Sequence, residues 1–227
     1  MGMKQKQEIF TVLGGRVKFI RGQYNITSDA VFLASFVNAG AGSARPQILD
    51  VGIGTGGVSL CLLERAPDVQ ITGIDISESM IAGCAENSEL NGRKIELIHA
   101  DILKWRTSRT FDAVITNPPY FKGTARAGDM HHNADLDAWT RACLRRVRPH
   151  GCFYCIVDAA AAGEVIAALH VGKAGGIEIV PLFGGKKNTA ERVLIRARLN
   201  SKTGTKIYTG VSMNDDDVLR GEKILTF

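Results

Sequence analysis

The stretch Asp50-Val-Gly-Ile-Gly-Thr-Gly-Gly57 constrains this chain more than any other, because four of its last six residues are glycine. It follows a run that reads as a strand, residues 48–51, and opens one that reads as a helix, residues 57–65. Glycines at such a junction allow a tight turn and let a ligand approach the backbone at a helix N-terminus, where N–H groups lack intrahelical partners.

The pattern continues in the same alternation. Strands are expected at 70–74, 95–99, 111–116 and 153–157, with helices at 78–90 and from about 136 to 147. A helix at 164–169 and strands at 177–181 and 192–198 complete the series, and the short link through Gly184 to Asn188 suits an antiparallel pair. Strands alternating with helices give a mainly parallel sheet. The expected fold class is therefore α/β and Rossmann-like, with seven strands, the last of them antiparallel, and helices on both faces. Ligands of such sheets lie beyond the carboxyl ends of the strands.

Before the core, residues 10–20 read as two short strands around Gly14-Gly15, and 29–37 as a helix capped by Ser28 or Asp29. The organisation expected is an N-terminal hairpin and helix extension over 1–45 packing on the core, a core over 46–200, and a C-terminal tail over 201–227. At 227 residues, 45% of them hydrophobic, the chain suffices for one α/β domain with a full core. Its start holds no apolar signal segment and no later stretch is apolar enough to span a bilayer, so a cytoplasmic protein with no membrane partner is expected. Lys6 stands where a myristoylation signal at Gly2 would need Ser or Thr.

Five cysteines, Cys61, Cys84, Cys143, Cys152 and Cys155, form an odd set in apolar surroundings and suit a reducing compartment. Cys152-Phe-Tyr-Cys155 has the spacing of half a zinc site, but it alternates like a buried strand and has no second thiol pair, so no metal is expected. The formal charge of +5 suits an anionic partner such as RNA.

Taken alone, the glycine loop reads two ways. Gly52, Gly54 and Gly57 fit the dinucleotide pattern G-x-G-x-x-G, and Asp75 at the end of the next strand suits a ribose in either reading. Asp50 favours the other reading. A carboxylate facing a pyrophosphate about 4 Å away would cost roughly 4 kcal/mol per unit charge pair at an effective dielectric of about 20. The ammonium and sulfonium of S-adenosyl-L-methionine would instead be attracted. Asp101 ends the third strand and can accept from the adenine amino group, although a loop cap is its ordinary use. Ile76 and Ile102, beside these acids, can sandwich the adenine ring.

After the fourth strand comes Asn117-Pro-Pro-Tyr120. On its own Asn-Pro is a turn starter; at the fourth strand end of a fold with this loop it is a catalytic candidate. An amino nitrogen conjugated to a ring is a poor nucleophile. The Asn117 side-chain oxygen and the Pro118 carbonyl can each accept one N–H and turn the lone pair toward a methyl donor, while the prolines hold both acceptors in place. Tyr120 can stack on a planar substrate.

With these residues in hand, the chain resembles the class I S-adenosylmethionine-dependent methyltransferases, and among them the amino-methylating group with an Asn-Pro-Pro-Tyr motif. Within that group it is similar to the bacterial enzymes that modify an adenine N6 beside the anticodon, at position 37, of valine tRNA. The segment Tyr24-Asn-Ile-Thr-Ser-Asp-Ala-Val-Phe-Leu-Ala34 matches that subfamily, as do Ala190 to Arg198 and the tail from Tyr208 to Leu219 less specifically. The resemblance implies Thr27, Asp29, Asp50, Gly52, Gly54, Asp75, Asp101 and Asn117 on the cofactor, with Asn117, Pro118 and Tyr120 on the amino group, and tRNA as partner.

The chain departs from that pattern after Tyr120, where only Lys122 and Arg126 are basic before His131-His132. Lys186-Lys187, Arg192, Arg196 and Arg198 are the other basic candidates for touching RNA, solvated charge being the plain reading of each. His131-His132 can touch phosphate but lacks companions at metal-ligand spacing. Competing readings are a release-factor-type glutamine N5-methyltransferase, whose relatives carry a larger helical domain before the core, and a DNA adenine methyltransferase. An NAD-dependent oxidoreductase, which leaves 117–120 without a use, and a non-catalytic RNA-binding module come from other classes.

Overall fold

The computed structural model describes residues 8–21, 26–38, 45–119, 135–185 and 188–227. It opens on a hairpin of β1 (Ile9–Val12) and β2 (Val17–Ile20), with Ile9 opposite Ile20 and Val12 opposite Val17. The connecting turn puts Gly14 and Gly15 at φ +65° and +91°, which glycine alone adopts without strain. Helix α1 (Ser28–Phe36) follows. Its N-cap is Thr27, which makes no side-chain cap bond, so the expected cap at Ser28 or Asp29 is corrected by one or two residues. Asp29 is unavailable for capping because its carboxylate is turned inward, onto Arg192.

The core alternates as its pattern requires: β3 (Gln47–Val51), α2 (Gly57–Arg65), β4 (Gln70–Asp75), α3 (Glu78–Leu90), β5 (Glu96–His99), β6 (Phe111–Thr116), α4 (Leu136–Leu144), β7 (Val147–Asp158), α5 (Ala162–Val171), β8 (Ala174–Phe183) and β9 (Arg192–Leu199). Two-residue strands β10 (Lys206–Ile207) and β11 (Val211–Ser212) and the short α6 (Asp216–Leu219) end the chain. Strand order is β10-β8-β9-β7-β6-β3-β4-β5, with β11 also paired to β8. Strands β3 to β7 pair parallel, and β9 lies antiparallel between β7 and β8. The antiparallel strand is thus as expected, while the sheet has nine strands rather than seven. The two extra ones are too short to carry a period.

Alternation along each strand divides the interior in two. On β7, Cys152, Tyr154 and Ile156 join the layer under α1, α2 and the hairpin; Phe153, Cys155 and Val157 join the layer under α4 and α5. Helix α1 is buried along nearly its whole length, so this N-terminal segment is part of the sheet's cover. Asn91 binds the hairpin like a neighbouring strand: its Nδ2 donates to the Lys18 carbonyl (2.7 Å) and its Oδ1 accepts from Lys18 N–H (2.9 Å).

Helix α4 stops at Leu144, three residues before the expected end, and β7 begins six residues before Phe153. Arg146 accounts for this. Its carbonyl accepts from Phe111 N–H (2.8 Å), and its guanidinium lies over the Trp105 ring (5.3 Å to the centroid) and donates to the Trp105 carbonyl. These contacts pull the chain into the sheet against the helical period.

Gly73, in mid-β4, lies under Ile53 of the glycine loop: a Cβ there would stand 2.1 Å from Ile53 Cδ1. G73A is expected to destabilise the fold by about 1–3 kcal/mol through overpacking. I53V, which removes that Cδ1, should recover part of the loss when the two are combined. Urea denaturation of both single variants and the double variant checks the coupling; additive losses would refute it.

Candidate active site

The chain leaves β3 toward β4 and β5, then returns to β6 on the other side of β3. A crevice must open where the order reverses, at the carboxyl ends of β3 and β6. Val51 is the register partner of Thr116, so the glycine loop and Asn117 leave the sheet side by side.

The loop is built from left-handed glycines, with φ of +70° at Gly52, +54° at Gly54 and +92° at Gly56. Gly52 and Ile53 N–H both donate to the Ile74 carbonyl (2.8 and 3.1 Å), and Gly54 N–H donates to Asp75 Oδ2 (2.9 Å). A Cβ on Gly54 would meet open space, so the backbone there faces an approachable surface. A Cβ on Gly57 would come within 2.8 Å of Ile26 Cδ1, which places the segment before α1 against the first turn of α2.

Asp50 is 1% exposed, and its Oδ2 accepts from Ser59 Oγ (2.6 Å) on α2. Burial raises its pKa from 3.8 to about 7; the Ser59 hydrogen bond opposes this and the charge of Asp75 adds to it. Asp75, at the end of β4, accepts from Gly54 N–H through one oxygen and from Ser77 N–H (2.9 Å) through the other. Asp101 accepts from Leu103 N–H (2.9 Å), the loop-cap use that its position also suits, and lies 3.8 Å from Lys104 Nζ. Ile76 is 63% exposed whereas Ile102 is 3% exposed. The expected sandwich is therefore corrected: Ile76 alone of the pair offers free apolar surface, because Ile102 is absorbed into the layer with Leu49, Val51 and Ile74.

Asn117 is half-buried, Pro118 is buried and Pro119 is exposed. Tyr120 lies outside the described residues, as do Lys122, Arg126, His131, His132, Lys186, Lys187, Tyr24 and Asn25. Thr27 is exposed at the start of α1. Asp29 is 4% exposed and its Oδ2 accepts from Arg192 Nε (3.2 Å), while Arg192 Nη1 donates to Asp158 Oδ2 (3.2 Å). The structure therefore sets Asp29 in an ion pair that ties α1 to the ends of β7 and β9, which is a structural use.

Among the basic candidates for RNA, Arg192 is held in that pair and Arg196 is bonded to Glu178 (2.9 Å) and stacked over Tyr154. Arg198 is exposed. Sequence reasoning missed Asn87, Thr116 and Trp139. Buried Asn87 accepts from Ile20 N–H (2.9 Å) and donates to the Thr55 carbonyl (3.0 Å), joining the hairpin to the glycine loop. Trp139 Nε1 donates to Thr116 Oγ1 (3.1 Å). Their partners are remote in sequence, and the one local signal was the position of Thr116 directly before Asn117.

Among the described residues no group of three or more His, Cys, Asp or Glu could hold a metal ion, and no helix is long and apolar enough to cross a membrane. All five cysteines are free and buried.

Because the folded-state pKa of Asp50 lies above its ordinary value, the folded protein holds this proton over a window from about 4 to about 7. Stability then falls as pH rises through that window and levels off above it. Relative to D50N, which cannot titrate, the wild-type protein should lose up to about 3 kcal/mol between roughly pH 5 and pH 8. Urea denaturation at both values checks this, and parallel pH profiles for the two proteins would contradict it.

The profile of the methyltransferase small domain family matches residues 21–159. A tRNA1(Val) (adenine(37)-N6)-methyltransferase of Vibrio cholerae is 41% identical over 99 residues, 42% of this chain and 40% of that protein. The matched stretch thus spans about two fifths of that relative's length. The Bacteroides thetaiotaomicron protein of the same name is 27% identical over 190 residues, 78% of each chain. A release factor glutamine methyltransferase of Deinococcus radiodurans is 32% identical over 95 residues, 40% of this chain and 34% of that one. Among solved structures, a predicted O-methyltransferase from Agrobacterium tumefaciens superposes with a TM-score of 0.70 at 22% identity, covering 87% of this chain and 98% of that one. The T. thermophilus 16S rRNA N2 G1207 methyltransferase, in complex with AdoMet and guanosine, gives 0.60 at 21% identity, over 86% and 50% of the two chains. These likenesses show the fold.

Proposed function

The chain belongs to the methyltransferase small domain family, and from that premise we propose that it transfers a methyl group from S-adenosyl-L-methionine to an exocyclic amino nitrogen, adenine N6 at position 37 of valine tRNA. The observation that carries this is the pairing of Val51 with Thr116, which brings the glycine loop and Asn117 out of the sheet at one level. A donor held on the loop and an amino group held on Asn117 would then meet across one strand spacing, roughly 4.8 Å.

The residues present fit the donor. Gly54 offers backbone next to open space, and α2 presents the N–H groups of its first turn to a carboxylate. A carboxylate has about four lone-pair sites. Asp75 uses one on each oxygen for Gly54 and Ser77, which leaves acceptor capacity for a ribose diol. Exposed Ile76 supplies an apolar face for adenine, and Asp101 an acceptor for its amino group. Asp50 supports the loop from beneath and contributes negative charge when ionised.

When bound, the donor supplies an electrophilic methyl on sulfur. The nitrogen attacks that carbon, the sulfur leaves with the bonding pair as a thioether, and one N–H proton is released to solvent. Asn117 Oδ1 and the Pro118 carbonyl hold the two N–H groups, directing the lone pair at the methyl; the prolines restrict both acceptors before substrate arrives. Tyr120, outside the described residues, is the side chain that would stack on the base. Two relatives named as tRNA adenine methyltransferases, one of them matched over 78% of its length, favour this substrate, and the +5 charge suits RNA. A tRNA substrate would place the protein in the cytoplasm. The Deinococcus radiodurans relative favours glutamine as the second reading, since an amide NH₂ suits the same two acceptors.

The test is incubation with methyl-labelled S-adenosyl-L-methionine and either tRNA lacking the modification or release factor, with N117A in parallel. Label should enter N6-methyladenosine, and N117A should lower the rate about 10²-fold or more. Label in methylglutamine would install the second reading. No label in either, with donor bound, would overturn both.

A further inference from the structure

Trp139 touches both halves of the site. Its Nε1 donates to Thr116 Oγ1 (3.1 Å), and Thr116 Oγ1 donates its single proton to the Val51 carbonyl (2.8 Å). On the other side, the Trp139 ring edge closes on the glycine loop: a Cβ on Gly52 would stand 3.3 Å from Cζ2 and 3.5 Å from Cη2. One side chain from α4 therefore abuts the first loop glycine and anchors the residue directly before Asn117. The need for such an anchor follows from the topology. Val51 and Thr116 are the last register pair of β3 and β6, so Asn117 stands one residue beyond the ladder.

We infer that Trp139 is a positioning residue, which acts through the Thr116 hydroxyl to set the Asn117 acceptor at a fixed distance from the glycine loop. The inference rests on the methyltransferase reading above. Its chemical content lies in the indole N–H. A ring alone would fill the space beside Gly52, whereas a donor at Nε1 also binds the oxygen of a buried hydroxyl that gives its proton to Val51. Because the anchor acts on the acceptor, its loss should appear in turnover and leave donor binding in place.

W139F removes the donor together with the Cζ2–Cη2 edge beside Gly52, so the companion variant isolates the hydrogen bond. T116V keeps the shape and removes the hydroxyl. With unmodified tRNA and S-adenosyl-L-methionine, each should lower kcat about tenfold or more, while KM for the donor and the calorimetric Kd for S-adenosylhomocysteine stay within about twofold. The double variant should lose no more than W139F alone, because T116V breaks a chain of bonds that W139F has already broken. T116S, which restores the hydroxyl, should recover most of the T116V loss. Full kcat in W139F, losses that multiply in the double variant, or a fall in kcat matched by an equal loss of S-adenosylhomocysteine affinity would each overturn the inference. If N117A is inactive while W139F matches the wild-type protein, this inference alone falls. A wild-type protein that methylates no amino group overturns the functional reading and this inference together.

Discussion

The reversal of strand order between β3 and β6 is the constraint on which the site depends. Parallel strands joined by helices run in one direction outward from β3, to β4 and β5, and the chain must then cross back to lay β6 on the free edge of β3. Two loops consequently part at the carboxyl end of the sheet, and neither can fill the gap between them. One carries the glycines and the other carries Asn117. The register of Val51 with Thr116 sets their relative height, and that register is fixed by burial on both faces, since a slip of one residue would turn Leu49 and Val51 out of one layer and Ile48 out of the other.

Asp50 shows how the sheet supports the loop. An acid in mid-strand with 1% exposure is costly to ionise, and a single hydroxyl, Ser59, answers it. Burial is the larger cause of its raised pKa, and the charge of Asp75 adds to it. A cation near the glycines would favour the ionised form of Asp50. A phosphate would disfavour it. Ionised Asp50 thus favours a cationic ligand at the loop, a preference that the glycine spacing alone does not express.

Much of this was legible in the chain. The starts of α2 and α3 follow, respectively, the left-handed Gly56 and Ser77, whose hydroxyl accepts from Met80 N–H, because such local signals stand in the sequence. The antiparallel β8 and β9 pair followed from a short link. What stayed hidden are features settled by remote partners. Asp29 read as a helix cap or a cofactor contact, and its bond to Arg192, 163 residues away, is invisible to local pattern. Arg192 and Arg196 were candidates for RNA contact or solvated charge, and the structure pairs them with Asp29, Asp158 and Glu178. Ile76 and Ile102 share a local setting, yet one faces solvent and the other the interior, a difference that depends on which side of the sheet the loop turns down.

The N-terminal segment is where fold and site meet most closely. Helix α1 is apolar nearly all round, so it is held by burial and not by an amphipathic seam, and Arg192 pins its acidic first turn to the strand ends. Its approach carries Ile26 onto the first turn of α2, where Gly57 leaves room. Asn87 adds the hairpin to the same assembly, through Ile20 on one side and Thr55 on the other. Residues before the core therefore reach the glycine loop from two directions, and an insertion or deletion between β2 and α1 would act on the loop and not on the hairpin alone. The extension is thus tied to the loop at Gly57 by contact and at Thr55 by a hydrogen bond through Asn87, and burial of α1 holds both attachments in place.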